Sequence, residues 1–367
     1  MTLELSRRPC PHVWWLHSLA VAPHRCPSGE GAHALPDLGV ALLTFADARL
    51  DEIVDLGRTA DELGYDACYT TESLTDALAI DLAIALATRT IRVASFVSIS
   101  YLRHPLIAAQ AAVTISDLSG GRFVLGLGLG HRPRVEAVGV DVGRPLQDLP
   151  RYITDVKEIL GGRIHDRYPD LPVQTYQGKR LDVRTPRHPL PVYAAAVGPK
   201  MAAAGATCAD GLMVYLVPRT GIAALADAVA KGAAEAGRSA HVPIDFALHA
   251  FVDDDLAAAR DSARRSLTYW VGLPAYNAAL ARAGFVDEAA RAREAFLEGD
   301  QDALRATISD RLIDEYCLVG PPERCREQLA AWQSTGVATV AVMPDPVSPD
   351  EPYSDAVKRT LAALAPR

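Results

Sequence analysis

The stretch from Leu106 to Gly128, LIAAQAAVTISDLSGGRFVLGLG, contains one complete helix–turn–strand unit. Its first part, Leu106–Leu118, is predicted to be a helix, and the glycines of Ser119-Gly120-Gly121 end it, because glycine accepts the left-handed conformation in which helices commonly stop. The apolar run from Phe123 to Gly128 is too short for a buried helix and is predicted to be a buried strand. This order of elements is typical of a parallel α/β fold.

The same alternation extends in both directions along the chain. Helical, often alanine-rich stretches separate apolar runs typical of strands. The eight predicted strands are residues 38–43, 65–71, 91–99, 123–128, 190–196, 211–217, 244–252 and 337–343. Repeated strand–helix units imply a parallel sheet covered on both faces, and eight of them predict a closed (β/α)8 TIM barrel.

Two insertions interrupt the predicted barrel. Residues 131–189, before the fifth strand, contain a helix at 149–160 and then an irregular stretch, and residues 262–320, before the eighth strand, are largely helical. An open doubly wound sheet is the rival fold, but it normally has fewer strands and a glycine fingerprint at its first turn. The first turn of this chain lacks that fingerprint.

Composition and charge narrow the classes of partner. The chain has 367 residues and a net charge of −8, whereas nucleic acids and anionic membranes require a basic face. No apolar run approaches the roughly 20 residues of a membrane-spanning helix. The six cysteines are scattered and are interpreted as reduced thiols, since disulfide frameworks belong to small, cysteine-dense secreted domains. We therefore expect a cytoplasmic protein that binds small molecules, with no nucleic-acid or membrane partner.

Residues 1–36 are predicted to be an N-terminal extension, disordered or loosely docked, in front of a barrel domain at 37–367. Pro9 and Pro11 interrupt the apolar stretch that a secretion signal would need. Cys10-x-His12 and His24-x-Cys26 have the residue types of a zinc site. Their one-residue gaps are tighter than ordinary zinc spacings, so we expect no metal there.

The glycine repeat Gly126-x-Gly128-x-Gly130 invites a dinucleotide-binding interpretation. The spacing contradicts it, since His131 stands where G-x-G-x-x-G needs glycine, and no helix begins at the third glycine. Two interpretations remain, and they are compatible. The glycines allow a barrel strand to bend, or they let a flat ring lie against the strand end at the active-site face.

A second glycine follows the fifth predicted strand, in Ala196-Val197-Gly198-Pro199-Lys200. Proline at this position opens a helix, whose free N–H groups and positive dipole end would bind phosphate beside Lys200. The alternative is an ordinary strand–helix turn with no ligand.

Ionisable residues also follow strands at one predicted rim of the barrel. Glu72 follows the second strand, Arg103-His104 the third and His131-Arg132 the fourth. Catalytic groups on this fold come from different strand ends, so the three together suggest an active site. HExxH, GxSxG and Walker patterns are absent from the sequence, which disfavours metalloprotease, α/β-hydrolase and phosphate-hydrolysing functions.

Four segments between about Leu38 and Met343 resemble the bacterial luciferase-like flavin and deazaflavin oxidoreductase superfamily. They are Ile91–Val97 with Arg103-His104-Pro105, Ser119–Phe123 with the glycine repeat, Pro191–Lys200, and Ala209-Asp210-Gly211. His131-Arg132-Pro133 and Leu273–Asn277 are similar to an actinobacterial branch assigned to coenzyme F-420, an 8-hydroxy-5-deazaflavin.

The resemblance implies a barrel that is usually a homodimer, with the coenzyme ring at its C-terminal mouth. It places a non-proline cis peptide at Phe96–Val97 and phosphate at Val197-Gly198-Pro199. His131 is the predicted acid/base residue, and Glu72 is its alternative or a polar contact to the ring. Serine at 73 and histidine at 131 depart from relatives that act on sugar phosphates, and argue against that activity. The residues predicted to bind coenzyme are Ser73, Ser95, Phe96, Val97, Gly128, Gly130, Ala196, Val197, Gly198, Pro199 and Lys200.

Three functional hypotheses remain open from the sequence. The first is hydride transfer with coenzyme F-420, reducing a C=C or C=N bond in a small organic substrate, where the coenzyme carries the chemistry and the protein orients it and moves a proton. The second is a monooxygenase that uses reduced FMN and oxygen. The third is a barrel without catalysis that serves as a binding or assembly subunit.

Overall fold

The computed structural model describes residues 36–44, 47–73, 75–239 and 241–366. The predictions about an N-terminal extension, apart from Pro36, and about the Cys10–Cys26 zinc site lie outside the described residues.

The chain alternates between strands and helices along most of its described length. The strands are β1 (Asp37–Leu42), β2 (Ala67–Thr70), β3 (Arg92–Ser95), β4 (Ser98–Ile99), β5 (Phe123–Gly128), β6 (Gln174–Tyr176), β7 (Lys179–Leu181), β8 (Val192–Ala196), β9 (Gly211–Tyr215), β10 (Ile244–Val252), β11 (Cys317–Gly320) and β12 (Thr339–Pro344). The helices are α1 (Leu50–Glu62), α2 (Ala77–Ala87), α3 (Pro105–Ser119), α4 (Arg132–Ala137), α5 (Pro145–Leu160), α6 (Ile164–Arg167), α7 (Pro199–Ala206), α8 (Ile222–Glu235), α9 (Leu256–Val271), α10 (Pro274–Arg282), α11 (Val286–Glu298), α12 (Gln301–Ala306), α13 (Asp310–Tyr316), α14 (Pro322–Gln333) and α15 (Tyr353–Leu364).

The predicted barrel is confirmed. In the described part of the chain, eight strands close a ring in the order β1, β2, β3, β5, β8, β9, β10, β12, and β12 pairs with β1. The pairings around the ring are parallel, so every strand presents its carboxyl end to the same mouth. Each ring strand overlaps one of the eight strands predicted from the sequence.

The structure departs from the sequence prediction in three local features. The third predicted strand is divided into β3 and β4 by a cis peptide bond between Phe96 and Val97, at the position that the resemblance implied. The stretch predicted as irregular contains the antiparallel hairpin β6–β7. The second insertion contains β11, which extends the sheet by pairing with the far end of β10.

The local chemistry of the αβ unit at 105–128 accounts for its boundaries. Pro105 opens α3, and Gly120 ends it with a φ of 69°, a left-handed conformation that glycine adopts without steric cost. The buried Arg122 guanidinium donates hydrogen bonds to the backbone carbonyls of Ala85, Thr88 and Ile91. Arg122 therefore satisfies carbonyls at the end of α2 and ties that helix to the sheet.

A polar layer near the amino ends of the strands fills one end of the barrel. The buried Tyr69 hydroxyl donates to Asp245 at 2.7 Å, and the Arg92 guanidinium lies 3.7 Å from the same carboxylate. Arg92 also donates to Thr339 Oγ1 at 2.8 Å. These groups fill this end of the barrel interior, and the cavity lies at the opposite end, where the strands finish.

The second insertion forms a core of its own. Its helices α9 to α13 and strand β11 pack around buried residues that include Leu267, Phe285 and Leu312. This helical layer brings α9 and α10 over the barrel mouth, where their side chains form part of the cavity wall.

None of the helices formed by the described residues combines the length and the apolar character that a membrane span requires.

Candidate active site

A cavity of about 800 Å³ occupies the C-terminal mouth of the barrel. Its lining comes from the ends of most ring strands, from the loops that follow them and from α9 and α10. This is the face where barrel enzymes place their active sites. The volume suits a ligand of coenzyme size, since small-molecule pockets commonly enclose about 300–1,000 Å³.

One wall of the cavity is the bulge at Phe96 and Val97, which packs against the glycine repeat. A Cβ added to Gly128 would overlap the Val97 side chain, and one added to Gly126 would overlap the Ser95 carbonyl and the Met213 sulfur. These two glycines are therefore required by the packing of the bulge and of Met213. Phe96, Val97 and Gly128 all line the cavity, so the flat wall that a ring would contact is made by the bulge as well as by the glycines.

Ser95 lies behind this wall. Its buried hydroxyl donates to the Gly126 carbonyl at 2.9 Å and accepts from the Gly126 N–H at 3.0 Å. Ser95 was predicted to bind coenzyme, but the structure places it outside the cavity lining, with its hydrogen bonds satisfied by the strand next to it. Its visible role is to fasten β3 to β5.

The loop after β5 carries Gly130 and His131. Gly130 has a φ of 74°, and this left-handed turn directs the chain into α4. The half-buried His131 ring lies edge-on to Trp270, with ring centroids 5.2 Å apart. Burial, helped by the nearby Arg134 guanidinium, lowers the pKa of His131 below its ordinary value. The imidazole is therefore neutral at neutral pH, a state suited to accepting a proton.

Glu72 and Ser73 follow β2 and also line the cavity. The Glu72 carboxylate lies 3.4 Å from the Arg103 guanidinium, and burial raises the pKa of Glu72 despite the attraction of Arg103. Arg134 donates a hydrogen bond of 2.8 Å to the Ser73 hydroxyl. The structure thus brings Glu72 and His131 to one rim, with Ser73 beside them. Arg103 and His104, which were predicted for the same rim, lie outside the cavity lining.

The Gly198 turn forms another part of the rim. Ala196, Val197 and Gly198 line the cavity, whereas Pro199 and Lys200 do not, and Lys200 is exposed. Gly198 caps α7 with φ −130° and ψ 160°, and because it has no side chain, the cap residue itself accepts no side-chain hydrogen bond from the first turn of this helix.

A cationic side chain lies beside the Gly198 turn. A Cβ added to Gly198 would lie 3.3 Å from a guanidinium nitrogen of Arg282, at the end of α10. Free helix N–H groups and a guanidinium around a position without a side chain suit a phosphate oxygen. The residues present therefore fit the phosphate-bearing tail of a flavin-type coenzyme, with Arg282 in the place predicted for Lys200. Arg282 was not predicted, because nothing in the sequence links it to residue 198.

An aromatic wall faces the cavity from the helical insertion. Trp270 contacts Tyr215 and Tyr276 edge-on, with ring centroids 5.3 Å and 5.1 Å apart. Tyr269 lies beside Trp270 on α9. Tyr276 was predicted only as part of the resembling motif Leu273–Asn277, and the other members of this wall were not predicted.

A buried hydrogen-bonded chain crosses the cavity floor. The Tyr215 hydroxyl lies 2.6 Å from His249 Nε2, and His249 Nδ1 lies 2.5 Å from Asp345 Oδ2. All three residues line the cavity. Tyr215 is the last residue of β9, and Asp345 directly follows β12. Both therefore meet the strand-end criterion by which Glu72 and His131 were predicted. His249 gave no such signal, because it lies inside the apolar run of β10.

Comparison with known proteins agrees with this architecture. The sequence model of the luciferase-like monooxygenase family matches residues 22–339. The chain belongs to this family, and it is an enzyme of the oxidoreductase class.

Two relatives of this luciferase-like chain span most of its length. The 5,10-methylenetetrahydromethanopterin reductase of Archaeoglobus fulgidus is 27% identical over 318 residues, which are 84% of this chain and 93% of that protein. A Mycobacterium tuberculosis protein, provisionally named a coenzyme F-420-dependent oxidoreductase, is 28% identical over 315 residues, or 78% of this chain and 89% of that protein.

A solved structure shows the same fold. The coenzyme F-420-dependent tetrahydromethanopterin reductase of Methanopyrus kandleri superposes with a TM-score of 0.70 at 21% identity, over 90% of this chain and 98% of that one. Within this luciferase-like barrel, the cavity described above is the one site that joins the bulge, the phosphate-compatible turn and titratable side chains among the described residues.

Proposed function

We propose that this luciferase-like enzyme transfers hydride between coenzyme F-420 and a small organic substrate, reducing a C=C or C=N bond. The observation that carries the proposal is the cavity itself, which has a flat wall at Phe96–Val97 and an anion cradle at Gly198. A deazaflavin has a flat ring system and a phosphate-bearing tail, so both ends of the cavity match its chemistry. The names of two sequence relatives, a methanopterin reductase and an F-420-dependent oxidoreductase, support the same choice.

The protein residues have distinct roles in this proposal. Phe96, Val97 and Gly128 support the ring, and Gly198 with Arg282 binds phosphate. When bound, the deazaflavin supplies or accepts the hydride, and the chain must orient the reactants and move a proton. His131 is neutral and is suited to accept a proton or a hydrogen bond, while the partly paired Glu72 provides a polar contact at the rim.

Titration with two coenzymes tests the proposal. Purified protein is titrated with F-420 and with FMN while coenzyme fluorescence is recorded. We expect F-420 to bind at least tenfold more tightly, a difference of about 1.4 kcal/mol. A preference for FMN would reject the deazaflavin assignment in favour of a flavin monooxygenase. Binding of neither would favour the non-catalytic barrel.

We also propose that the enzyme is a homodimer joined through α2 and α3. These adjacent helices expose large apolar side chains to solvent: Leu86 is 62% exposed, Ile107 50% and Leu118 56%. Large apolar side chains exposed on neighbouring helices are candidates for an interface. A second copy is the proposed occupant, because symmetric self-association through one patch is the commonest way that soluble proteins form oligomers.

A further inference from the structure

The chain Tyr215–His249–Asp345 has its geometry fixed by neighbouring strands of the barrel. Strand β10 pairs with β9 on one side and with β12 on the other. Tyr215 lies opposite Ala247, so His249 is two residues further along and on the same face of β10. The Asp345 N–H donates to the Ala250 carbonyl at 3.0 Å. The three side chains are therefore held by the sheet and not by a loose loop.

The burial of these groups determines how their protons are arranged. His249 is 4% exposed, and the Asp345 side chain is 14% exposed. A buried carboxylate requires a donor, so Asp345 accepts the His249 Nδ1 proton. This leaves Nε2 directed at the Tyr215 hydroxyl. When His249 is protonated, the imidazolium and the carboxylate form a pair without net charge, which a buried site can accommodate.

Tyr215 is the member of this chain that ends a strand. Burial raises the pKa of Tyr215 well above its ordinary value, so the hydroxyl keeps its proton. Directly after it, the buried Leu216 has a φ of 49°, a left-handed conformation that is sterically unfavourable for a residue other than glycine. Such strain persists only where surrounding structure enforces it, and it concentrates at functional sites.

The surroundings of Tyr215 indicate what kind of ligand it meets. Trp270 and Tyr276 stand edge-on to its ring, with centroids 5.3 Å and 6.3 Å away. Among the described residues that line the cavity, Arg134 is the one guanidinium and no lysine ammonium is present. The neighbours of Tyr215 itself are aromatic rings, while the Arg134 guanidinium is bonded to Ser73. A flat, uncharged ring fits this end of the cavity.

We propose that the Tyr215 hydroxyl exchanges the proton of the reaction with a flat substrate, whose reducible bond is the C=N of an imine or a C=C conjugated to a carbonyl. His249 and Asp345 are the positioning residues that resupply this proton. This inference rests on the proposed function, because a reduced deazaflavin provides the hydride. In the reducing direction the substrate carbon gains the hydride with its electron pair. Its oxygen or nitrogen takes the Tyr215 proton, the phenol oxygen takes a proton from His249 Nε2, and neutral His249 stays bonded to Asp345 until solvent reprotonates it.

A phenolate probe tests the proton donor without knowledge of the substrate. 4-Nitrophenol is a flat ring whose oxyanion accepts a hydrogen bond as the reduced carbonyl oxygen would, and its visible absorption distinguishes phenolate from phenol. We expect Tyr215→Phe to weaken binding of the phenolate at least tenfold. The control is Tyr176→Phe, which removes an exposed hydroxyl on β6 outside the cavity lining, and we expect it to change affinity less than threefold.

His249→Phe provides a readout that a merely structural role would not move. Removal of the imidazolium should favour the neutral phenol over the phenolate in the bound probe, and this is measured from the absorption spectrum of the complex. Thermal melts of all three variants confirm that they fold. Equal effects of Tyr215→Phe and Tyr176→Phe, or failure of the wild type to bind the probe, would overturn the inference.

Coenzyme titration of the same proteins separates this inference from the proposed function. We expect wild type and Tyr215→Phe to bind F-420 within threefold of each other, since Tyr215 is assigned to the substrate. Absence of F-420 binding in the wild type, together with an intact phenolate effect of Tyr215→Phe, would refute the proposed function and leave Tyr215 as the residue that bonds the substrate oxygen. Intact F-420 binding with no phenolate effect in Tyr215→Phe would refute the inference alone.

Discussion

Replacement of Gly198 by aspartate tests the coenzyme end of the cavity most directly. The backbone at Gly198, with φ −130° and ψ 160°, is extended and accepts any residue without strain. The new carboxylate would lie near the Arg282 guanidinium, since the Cβ position is 3.3 Å from its nitrogen. It would therefore occupy the place proposed for a coenzyme phosphate.

The expected effects on affinity and on stability have opposite signs. Two negative charges about 4 Å apart repel by roughly 4 kcal/mol at an effective dielectric near 20. Gly198 is half-buried, so water reduces this figure, and we expect coenzyme affinity to fall by about one to three powers of ten. Aspartate is also a better N-cap than glycine by a few tenths of a kcal/mol, and it favours the positive end of α7. The melting temperature should stay constant or rise.

Affinity for F-420 is measured by fluorescence titration, and the melting temperature by thermal melts, for Gly198→Asp and for the steric control Gly198→Ala. The alanine variant separates the volume of a side chain from its charge. If the aspartate variant binds coenzyme as tightly as the alanine variant does, no phosphate lies at this turn.

Three further predictions concern the rim, the core and the surface. Arg134→Gln should raise the pKa of His131, because the positive charge of Arg134 is one of the two causes that lower this pKa. NMR titration of the imidazole measures the pKa, and an unchanged value would contradict the reasoning. In the wild type, the pKa of His131 is lower in the folded state than in the unfolded state, so protonation of His131 favours unfolding. The free energy of unfolding should therefore be fully retained above about pH 6.5 and should decrease as the pH falls further. Arg122→Met should reduce the free energy of unfolding by about 2–4 kcal/mol, since it leaves several buried carbonyls without donors, and urea unfolding that matches the wild type would contradict this. Leu86→Glu combined with Leu118→Glu should convert a dimer to a monomer in analytical ultracentrifugation, and an unchanged sedimentation coefficient would rule out this interface.

The ring of strands could be predicted because each one is a continuous apolar run between helical stretches. Burial on both faces imposes such runs in a parallel barrel. Strand β11 escaped prediction because Cys317–Gly320 is only four residues long and lies between helices. The cis bond at Phe96–Val97 followed from the resemblance and is confirmed. No local pattern in the sequence would have identified it.

The candidate site was predictable only where strand order and position determine it. Glu72 and His131 follow strands, and the barrel brings them to one rim. The glycine repeat was harder to interpret, because sequence does not reveal that the Val97 side chain fills the space beside Gly128. Tyr215 and Asp345 satisfied the same strand-end criterion, but their importance depends on the 2.6 Å and 2.5 Å contacts with His249. Those distances require the closed barrel.

His131 and Tyr215 are the two candidates for proton transfer, and the structure distinguishes between them. Both rings contact Trp270 edge-on, at 5.2 Å and 5.3 Å between centroids, so both border the same part of the cavity. A proton donor that turns over needs a source from which its proton is replaced. Tyr215 has such a source in His249, which is itself paired with Asp345. The His131 side chain makes no capping hydrogen bond to α4, and burial disfavours its charged form. His131 is thus better suited to orient a ligand than to protonate it.

Replacement of His131 by glutamine, which keeps a polar group at the rim, should therefore weaken binding of 4-nitrophenol without the shift toward neutral phenol expected for His249→Phe. A shift of equal size in both variants would show that His131 shares the proton-donating role.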